Sequence, residues 1–427
     1  MTDERKIKEI PDDGSSFNRI REENRYFVDK TMFLSIIEED TYPHVMMNRP
    51  RGFGKSLFTS MLETYYDILL KDQYDFFFND TWIHLYPTPM RNSYLILNLN
   101  FAEINLDVDK VEKSLYHYIL KRGELFISKY GKLLKIDENE EISKFQNLTS
   151  THHAFNHLVG LVKRSGQKLY VIIDNYDHFA NAAFAIKDRE DYRKLNFIEE
   201  LFCSFFKLLE TGARGDDAPI DRLFFTGIFP INLMRPSGGF DIGYNISFHP
   251  LTRAMFGFSY IHMQEMLKYY RSVGYLKHEP DYLLEIMSKW YGNYRFVNHP
   301  DERSFFNPRM VLHFLREYFR TQSIPEDLMV PHMQPDYEKL KELMTGGFER
   351  VNRDSNQLKQ MISDGHMLSD VGRGFSFANL TDSDNFLSIL FYSGFITIKE
   401  SVFYTPRLVS PNKITRAFLR KVLPKGE

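Results

Sequence analysis

The first 260 residues alternate short apolar runs with longer amphipathic segments. The apolar runs are hydrophobic on both faces, as strands buried in a parallel sheet are. They are Tyr42–Met47, Tyr94–Leu99, Lys168–Ile173 and Arg222–Thr226. Between them lie segments with apolar residues at helical spacing, such as Ser56–Leu70. This alternation predicts an α/β unit with a parallel central sheet.

The pattern changes after Phe256, where strand-like runs become rare. Helical periodicity covers His262–Tyr270, Tyr282–Trp290, Pro308–Arg320 and Tyr337–Leu343, and a last helix begins near Asn412. Two short β-like runs, Phe395–Ile398 and Val402–Tyr404, precede that last helix. We therefore predict two domains, 1–260 and 261–427, the second mainly helical and winged-helix-like. Surface loops are predicted at Thr211–Pro219 and Arg235–Gly239.

Composition excludes several classes of protein. Of the 427 residues, 43% are hydrophobic and 26% charged, an ordinary globular balance. The net charge of -3 provides no general field for nucleic acid, so such binding would need a local patch such as the basic segment Phe403–Glu427. A single cysteine, Cys203, excludes an intramolecular disulfide. The charged N-terminus and the lack of a long apolar stretch predict a cytoplasmic protein without a membrane span.

The segment Asn48–Ser56, NRPRGFGKS, ends like a phosphate-binding loop. Gly54 would let backbone N–H groups approach a phosphate, Lys55 would contact its oxygens, and Ser56 would bind Mg²⁺. The alternative is an ordinary helix N-cap at Ser56. The predicted nucleotide-binding residues are Arg49, Arg51, Gly52, Phe53, Gly54, Lys55, Ser56 and Leu57.

A second candidate lies where the run Tyr170–Ile173 leads directly into Asp174. An acidic residue at the end of a buried strand is where nucleotide-binding sheets hold Mg²⁺, usually through water. The alternative is an acidic turn that caps the next helix. The phosphate loop and Asp174 each follow a buried strand, in the order expected of a nucleotide-binding sheet. We therefore expect ATP and Mg²⁺ as ligands, with Ser56 and Asp174 at the metal.

Six separated motifs occur along the chain: YFVDKT from Tyr26, RPRGFGKS from Arg49, IIDNYDHFAN from Ile172, FFTGIFPI from Phe224, WYGNYRF from Trp290 and FNP from Phe306. Together they resemble the bacterial AAA-ATPase-like family. The likeness spans about Phe17 to Asn412. It implies a P-loop NTPase fold, and in that family an arginine is expected at Arg49 instead of the first glycine of the loop.

The resemblance also exposes differences. Many members carry a C-terminal nuclease-like domain of the PD-(D/E)xK type, but no acidic residue from Asp336 to Glu427 has a lysine two positions later. We therefore expect no nuclease site in this sequence. Asn175 replaces the glutamate that activates water in the family. Asparagine can orient a water but cannot accept its proton, so Asp177 is a candidate substitute.

Three further assignments remain open from the sequence. Thr226 matches the place of a residue that senses the γ-phosphate, or it satisfies its own turn. Arg49 and Arg51 contact phosphates or a neighbouring subunit, or they form a solvated rim. Arg295 in WYGNYRF could reach the nucleotide from the lid side, although aromatic packing explains most of that motif.

The leading hypothesis is an Mg²⁺-dependent ATPase whose hydrolysis drives conformational change. The first alternative is an ATP sensor that does not hydrolyse and recruits an unknown protein partner, which Asn175 favours. The second is a nucleic-acid-associated ATPase of a mobile-element or defence system, which predicts steep salt dependence. No arginine finger can be assigned, so the oligomeric state stays open.

Overall fold

The central sheet consists of five parallel strands. This computed structural model describes residues 7–39, 42–184, 189–232, 243–297, 304–329, 338, 341, 348–377, 379–380, 382–402 and 405–422. The strands are β1 His44–Asn48, β2 Leu95–Asn100, β3 Leu169–Asp174, β4 Ile220–Gly227 and β5 Tyr244–Asn245. They lie in the order β2-β3-β4-β1-β5, with every pair parallel. The predicted α/β class with a parallel central sheet is confirmed, and β5, two residues long, is the strand of this sheet that the pattern missed.

The register of the sheet aligns the carboxyl ends of four strands. Asn100 of β2 pairs with Asp174 of β3, and Asp174 pairs in turn with Thr226 of β4. Asn48 of β1 pairs with Gly227, one residue further along. Strand β3 is buried at every position, which explains why its sequence is apolar until Asp174. The sheet therefore has a row of polar residues along one edge.

Helices and short turns connect these strands. One is Lys55–Tyr66, which directly follows the predicted phosphate loop. The remaining α-helices up to β4 are Phe17–Glu22, Met32–Glu39, Tyr74–Phe78, Trp82–Leu85, Val111–Leu134, Glu138–Gln146, Thr151–Ser165, Asn181–Phe184 and Arg189–Ala213. Short 3₁₀ helices occur at Ile68–Gln73, Phe101–Glu103 and His178–Ala180. Among the described residues, no helix combines the length and apolarity needed to cross a bilayer.

The helix that follows the loop ends at Tyr66, although periodicity predicted it to Leu70. Asp67 adopts an extended backbone with ψ 119°, and the next amide, of Ile68, donates to the Tyr94 carbonyl at 3.0 Å. The fully buried Asp67 carboxylate accepts from the Tyr130 hydroxyl at 2.9 Å and pairs with Lys129 at 2.7 Å. These long-range partners outweigh the local helical pattern.

After β5 the chain is mainly helical. Its described helices are Tyr260–Ser272, Pro280–Tyr291, Pro308–Thr321, Phe348–Asp364, Phe386–Tyr392 and Lys413–Val422. The strands Phe258–Ser259 and Phe305–Phe306 pair with each other. The predicted loop Arg235–Gly239 and nearly all of the predicted helix Tyr337–Leu343 lie outside the described residues. The domain boundary near residue 260 stays a prediction.

A second, antiparallel sheet lies near the C-terminus. Its strands are Met367–Leu368, Thr397–Val402 and Thr405–Val409, with the last one in the middle. The hairpin was expected, but Val402, the first residue of its predicted second run, Val402–Tyr404, ends the first strand. The other two residues of that run lie outside the described residues. The sequence pattern did not predict the strand Thr405–Val409, because it contains Pro406 and proline is rare inside sheets. The Pro406 carbonyl accepts a hydrogen bond from the Ser369 amide at 3.1 Å.

Packing between the helices around the sheet can be tested at Gly123. A β-carbon there would lie 2.3 Å from the Phe145 ring, whereas one at Gly160 would meet only the tip of the Arg164 side chain, at 3.2 Å. Both substitutions to alanine gain about 1 kcal/mol of helix propensity. We expect Gly123→Ala to lower the thermal unfolding midpoint, because overpacking costs about 1–3 kcal/mol. Gly160→Ala is the control and should keep or raise the midpoint. A Gly123→Ala midpoint at or above the wild-type value would contradict this packing.

Candidate phosphate-binding site

The loop between β1 and the helix Lys55–Tyr66 depends on two glycines for different reasons. Gly54 has φ +95°, a left-handed conformation, and a β-carbon added there would meet nothing within 4 Å. Gly52 has φ +83°, and a β-carbon there would lie 2.7 Å from Oδ1 of Asn307. Gly54 is therefore needed for the turn, and Gly52 also for the close approach of Asn307.

Lys55 and Ser56 begin the helix and face the loop and β3. The Lys55 side chain is buried, and its Nζ donates to the carbonyls of Arg49 at 2.8 Å and Pro50 at 2.9 Å. The Ser56 hydroxyl donates to Oδ2 of Asp174 at 2.5 Å. The structure thus brings Lys55 and Ser56, from one segment, together with Asp174 from another. Leu57, next along the helix, is half-buried and packs against the core.

Asp174 is a buried carboxylate at the edge of the sheet. Besides the Ser56 hydroxyl, it accepts a hydrogen bond from the Asn175 amide at 3.0 Å. Burial raises the pKa of Asp174, while the Ser56 bond and the positive charge of Lys55 act in the opposite direction. A carboxylate whose charge is disfavoured by burial gains from a nearby cation. A carboxylate and a hydroxyl are also oxygen ligands of the kind that Mg²⁺ prefers.

Asn175 and Asp177 follow Asp174 but take different directions. Asn175 has φ +55°, and its Nδ2 donates to Oδ1 of Asn100 at 3.0 Å. Asp177 is buried, and its Oδ2 accepts from the amides of Ile228 at 2.9 Å and Phe229 at 2.7 Å. Asn175 therefore lies against the end of β2, whereas Asp177 holds the segment after β4 in place through hydrogen bonds to its backbone. Their predicted roles in activating water stay predictions.

Thr226 lies at the same edge of the sheet, and its hydroxyl already makes a hydrogen bond. The side chain is fully buried, and Oγ1 donates to the Met47 carbonyl at 3.0 Å. This bond joins β4 to β1 just before the phosphate loop begins. The sensing role of Thr226 stays a prediction.

The two arginines of the loop have different surroundings. Arg49 is 2% exposed, so the idea that it forms a solvated rim is wrong. Its guanidinium donates to the carbonyls of Asn48 at 2.8 Å and Ser247 at 2.9 Å, and it lies 4.4 Å from the Phe296 ring centroid. Arg51 is half-buried. Phe53 is buried, with its ring edge-to-face at 5.1 Å from Tyr294 and likewise at 5.1 Å from Phe296.

Residues from the C-terminal half also hold the loop, and sequence reasoning missed them. Oδ1 of Asn307 caps the helix Pro308–Thr321 through the Arg309 amide at 3.1 Å, while its Nδ2 donates to the Arg51 carbonyl at 3.0 Å. The Arg309 amide also donates to the Gly52 carbonyl at 3.2 Å. The motif FNP was visible in the sequence, but nothing local indicated that its asparagine contacts the loop.

Arg295 does not point toward the loop. Its backbone amide donates to the Thr397 hydroxyl at 2.6 Å, and its guanidinium donates to the Lys399 carbonyl at 2.8 Å. Arg295 therefore binds the strand Thr397–Val402. The aromatic neighbours Tyr291 and Tyr294 are buried, as the packing interpretation of this motif predicted.

Comparison with known proteins shows the family of this chain. The family model described as "Predicted AAA-ATPase" matches residues 14–235, about half of the chain. No curated protein matches the chain. One similar solved structure is a signal transduction ATPase with numerous domains (STAND) that has a tetratricopeptide repeat sensor, from Pyrococcus horikoshii. At 14% identity and a TM-score of 0.30, the match covers 93% of this chain and 43% of that one, too weak a likeness for argument. On the family match, this chain belongs to the AAA-ATPase-like family.

Proposed function

We propose that this protein binds ATP with Mg²⁺ and hydrolyses it slowly, and that the C-terminal half responds to the bound nucleotide. The observation that carries this proposal is the meeting of Lys55, Ser56 and Asp174 at the carboxyl edge of the sheet. A loop of this form presents backbone N–H groups and a helix N-terminus to an anion. Membership of the AAA-ATPase-like family supports ATP as the nucleotide.

Each residue of this group has a defined task in the proposal. Lys55 exchanges the carbonyls of Arg49 and Pro50 for phosphate oxygens, which accept hydrogen bonds more strongly because they are charged. Ser56 and Asp174 would hold Mg²⁺ through their hydroxyl and carboxylate oxygens. When bound, Mg²⁺ neutralises charge on the β- and γ-phosphates.

Slow turnover follows from the residues after Asp174. Asn175 can orient a water molecule, but its amide cannot accept a proton. Asp177 could accept one, but its Oδ2 already receives two backbone N–H bonds and the residue is buried. We therefore assign the orientation of water to Asn175 and a structural task to Asp177.

The contacts between the loop and the C-terminal half provide a route for a response. Asn307 donates to the Arg51 carbonyl, and a β-carbon on Gly394 would lie only 2.9 Å from Pro50. Phe53 is enclosed by Tyr294 and Phe296. A change in the loop on nucleotide binding must therefore be accommodated by these residues, because packed interfaces do not deform continuously.

A second candidate is an ATP sensor without hydrolysis that recruits a protein partner. The hydrogen bond between Asn175 and Asn100 favours it, because this bond engages the side chain that would orient water. A sensor would still need Lys55, Ser56 and Asp174 to bind ATP.

The nucleic-acid hypothesis has weaker support. Lys413, Arg416 and Arg420 are exposed along the last helix, so a local basic surface exists. However, the helix Phe386–Tyr392, which precedes the antiparallel hairpin, is buried at every position and could not enter a groove in this conformation. Both nucleic-acid binding and the winged-helix assignment stay predictions.

The central test is to measure ATP binding and phosphate release on the same sample for the wild type, Lys55→Ala and Asn175→Glu. We expect Lys55→Ala to weaken ATP binding about 10- to 100-fold, the worth of a charged hydrogen bond. Asn175→Glu should raise phosphate release on the order of 100-fold, because a general base contributes at least that much.

The outcomes separate the two candidates. Release by the wild type that is lost in Lys55→Ala supports the ATPase. Binding without release, with release appearing in Asn175→Glu, supports the sensor. A wild type that binds no ATP would refute both.

The structural task of Asp177 gives a separate prediction on stability. Without nucleotide, Asp177→Ala should destabilise the fold by about 1–3 kcal/mol, because it leaves two backbone N–H groups without an acceptor. Asp174→Ala should destabilise less, because burial already disfavours the charge that it removes. The measurement is the thermal unfolding midpoint of both variants beside the wild type. Equal midpoints for the two variants would argue against this division of tasks.

A further inference from the structure

The N-terminal segment 7–13 bridges the two halves of the chain. On the C-terminal side, the Lys8 carbonyl accepts from the Tyr270 hydroxyl at 3.0 Å and the Pro11 carbonyl accepts from Arg316 at 2.9 Å. On the other side, the Glu9 carbonyl accepts from the Tyr26 amide at 2.8 Å. This segment therefore joins the helices Tyr260–Ser272 and Pro308–Thr321 to the first part of the chain.

The segment ends in a carboxylate that is held by two arginines of one helix. Oδ1 of Asp13 accepts from Arg316 at 2.6 Å, and Oδ2 accepts from Nε of Arg309 at 3.1 Å. Partial burial raises the pKa of Asp13, but the bonds from Arg316 and Arg309 outweigh it, so the pKa lies below its usual value. Asp13 is therefore ionised at neutral pH. About a third of each partner in the Arg309 pair remains exposed, so this pair is weak enough to exchange.

Arg309 is also the residue of that helix that lies against the phosphate loop. Its backbone amide donates to the Gly52 carbonyl at 3.2 Å. Its β-carbon would be 3.1 Å from a β-carbon on Gly52. The long side chain of Arg309 therefore begins beside the phosphate loop and extends from there to Asp13. Arg316 lies two turns further along the helix and binds the same carboxylate. Among the described residues, no contact between Arg316 and the phosphate loop is seen.

We propose that Arg309 exchanges the carboxylate of Asp13 for a phosphate of the nucleotide, so that Asp13 competes with the ligand for this arginine. A guanidinium binds carboxylate and phosphate with the same planar geometry, and the more highly charged phosphate is the stronger acceptor. Binding of nucleotide would then release one of the two bonds that tie Asp13 to the helix Pro308–Thr321. This inference rests on the proposed binding of ATP at Lys55 and Ser56, and it adds a ligand residue and a competing anion to that site.

The test compares the affinities for ATP and adenosine of the wild type, Arg309→Ala, Asp13→Asn, the double variant and the control Arg316→Ala. Isothermal titration is suitable for both ligands. We expect Arg309→Ala to weaken ATP binding about 10-fold, the effect of losing a charged hydrogen bond, and to leave adenosine binding unchanged. Asp13→Asn should strengthen ATP binding, because it removes the competing charge, and should have no effect once Arg309 is absent. Arg316→Ala should leave the ratio of the two affinities as in the wild type.

Several results would overturn the inference. If Arg309→Ala weakened ATP and adenosine equally, Arg309 would only support the loop. A persistent effect of Asp13→Asn in the absence of Arg309 would exclude competition for that arginine. If Lys55→Ala abolished ATP binding and Arg309→Ala left it intact, this inference alone would fail. No binding of ATP by the wild type would instead remove the proposed function itself.

Discussion

The hydrogen bond from Ser56 to Asp174 joins the start of the loop helix to the end of β3, and the candidate site depends on it. It forms because parallel strands in register end at one edge, so that a helix following β1 begins close to the last residue of β3. Asp174 is buried there, which raises its pKa and disfavours its charge. The site therefore contains a buried carboxylate whose negative charge is disfavoured, and a bound cation would stabilise that charge. Groups with shifted pKa values are often found at functional sites.

Most other polar groups at this edge serve the fold itself. Thr226 binds the Met47 carbonyl, Asp177 binds two amides beyond β4, and Asn175 binds Asn100. Each of these hydrogen bonds provides a partner for a polar group, and burying that group without a partner would cost free energy. A polar residue at the end of a strand is therefore not by itself a catalytic residue. Lys55, Ser56 and Asp174 differ in the proposed function, because a ligand would replace or join their present partners without breaking the sheet.

The loop is also a structural joint between the two halves of the chain. Arg49 lies buried against Phe296, Phe53 lies against Tyr294 and Phe296, and Asn307 binds the Arg51 carbonyl. Arg49 and Phe53 are thus buried against the C-terminal half. In the proposed function, such a loop would link the occupancy of the phosphate site to the packing of a distant part of the sequence.

The sequence by itself determined the parallel sheet, the loop with its following helix, and the group Lys55, Ser56 and Asp174. Each rests on local patterns: apolar runs buried on both faces, glycines where a turn needs positive φ, and polar residues at strand ends. Only the tertiary structure decided where the helix after the loop ends, what Asp177 and Thr226 bind, and that Asn307 and Arg309 lie against the loop. These features depend on partners far away in the chain, and no local pattern carries information on which distant group a buried polar atom will find.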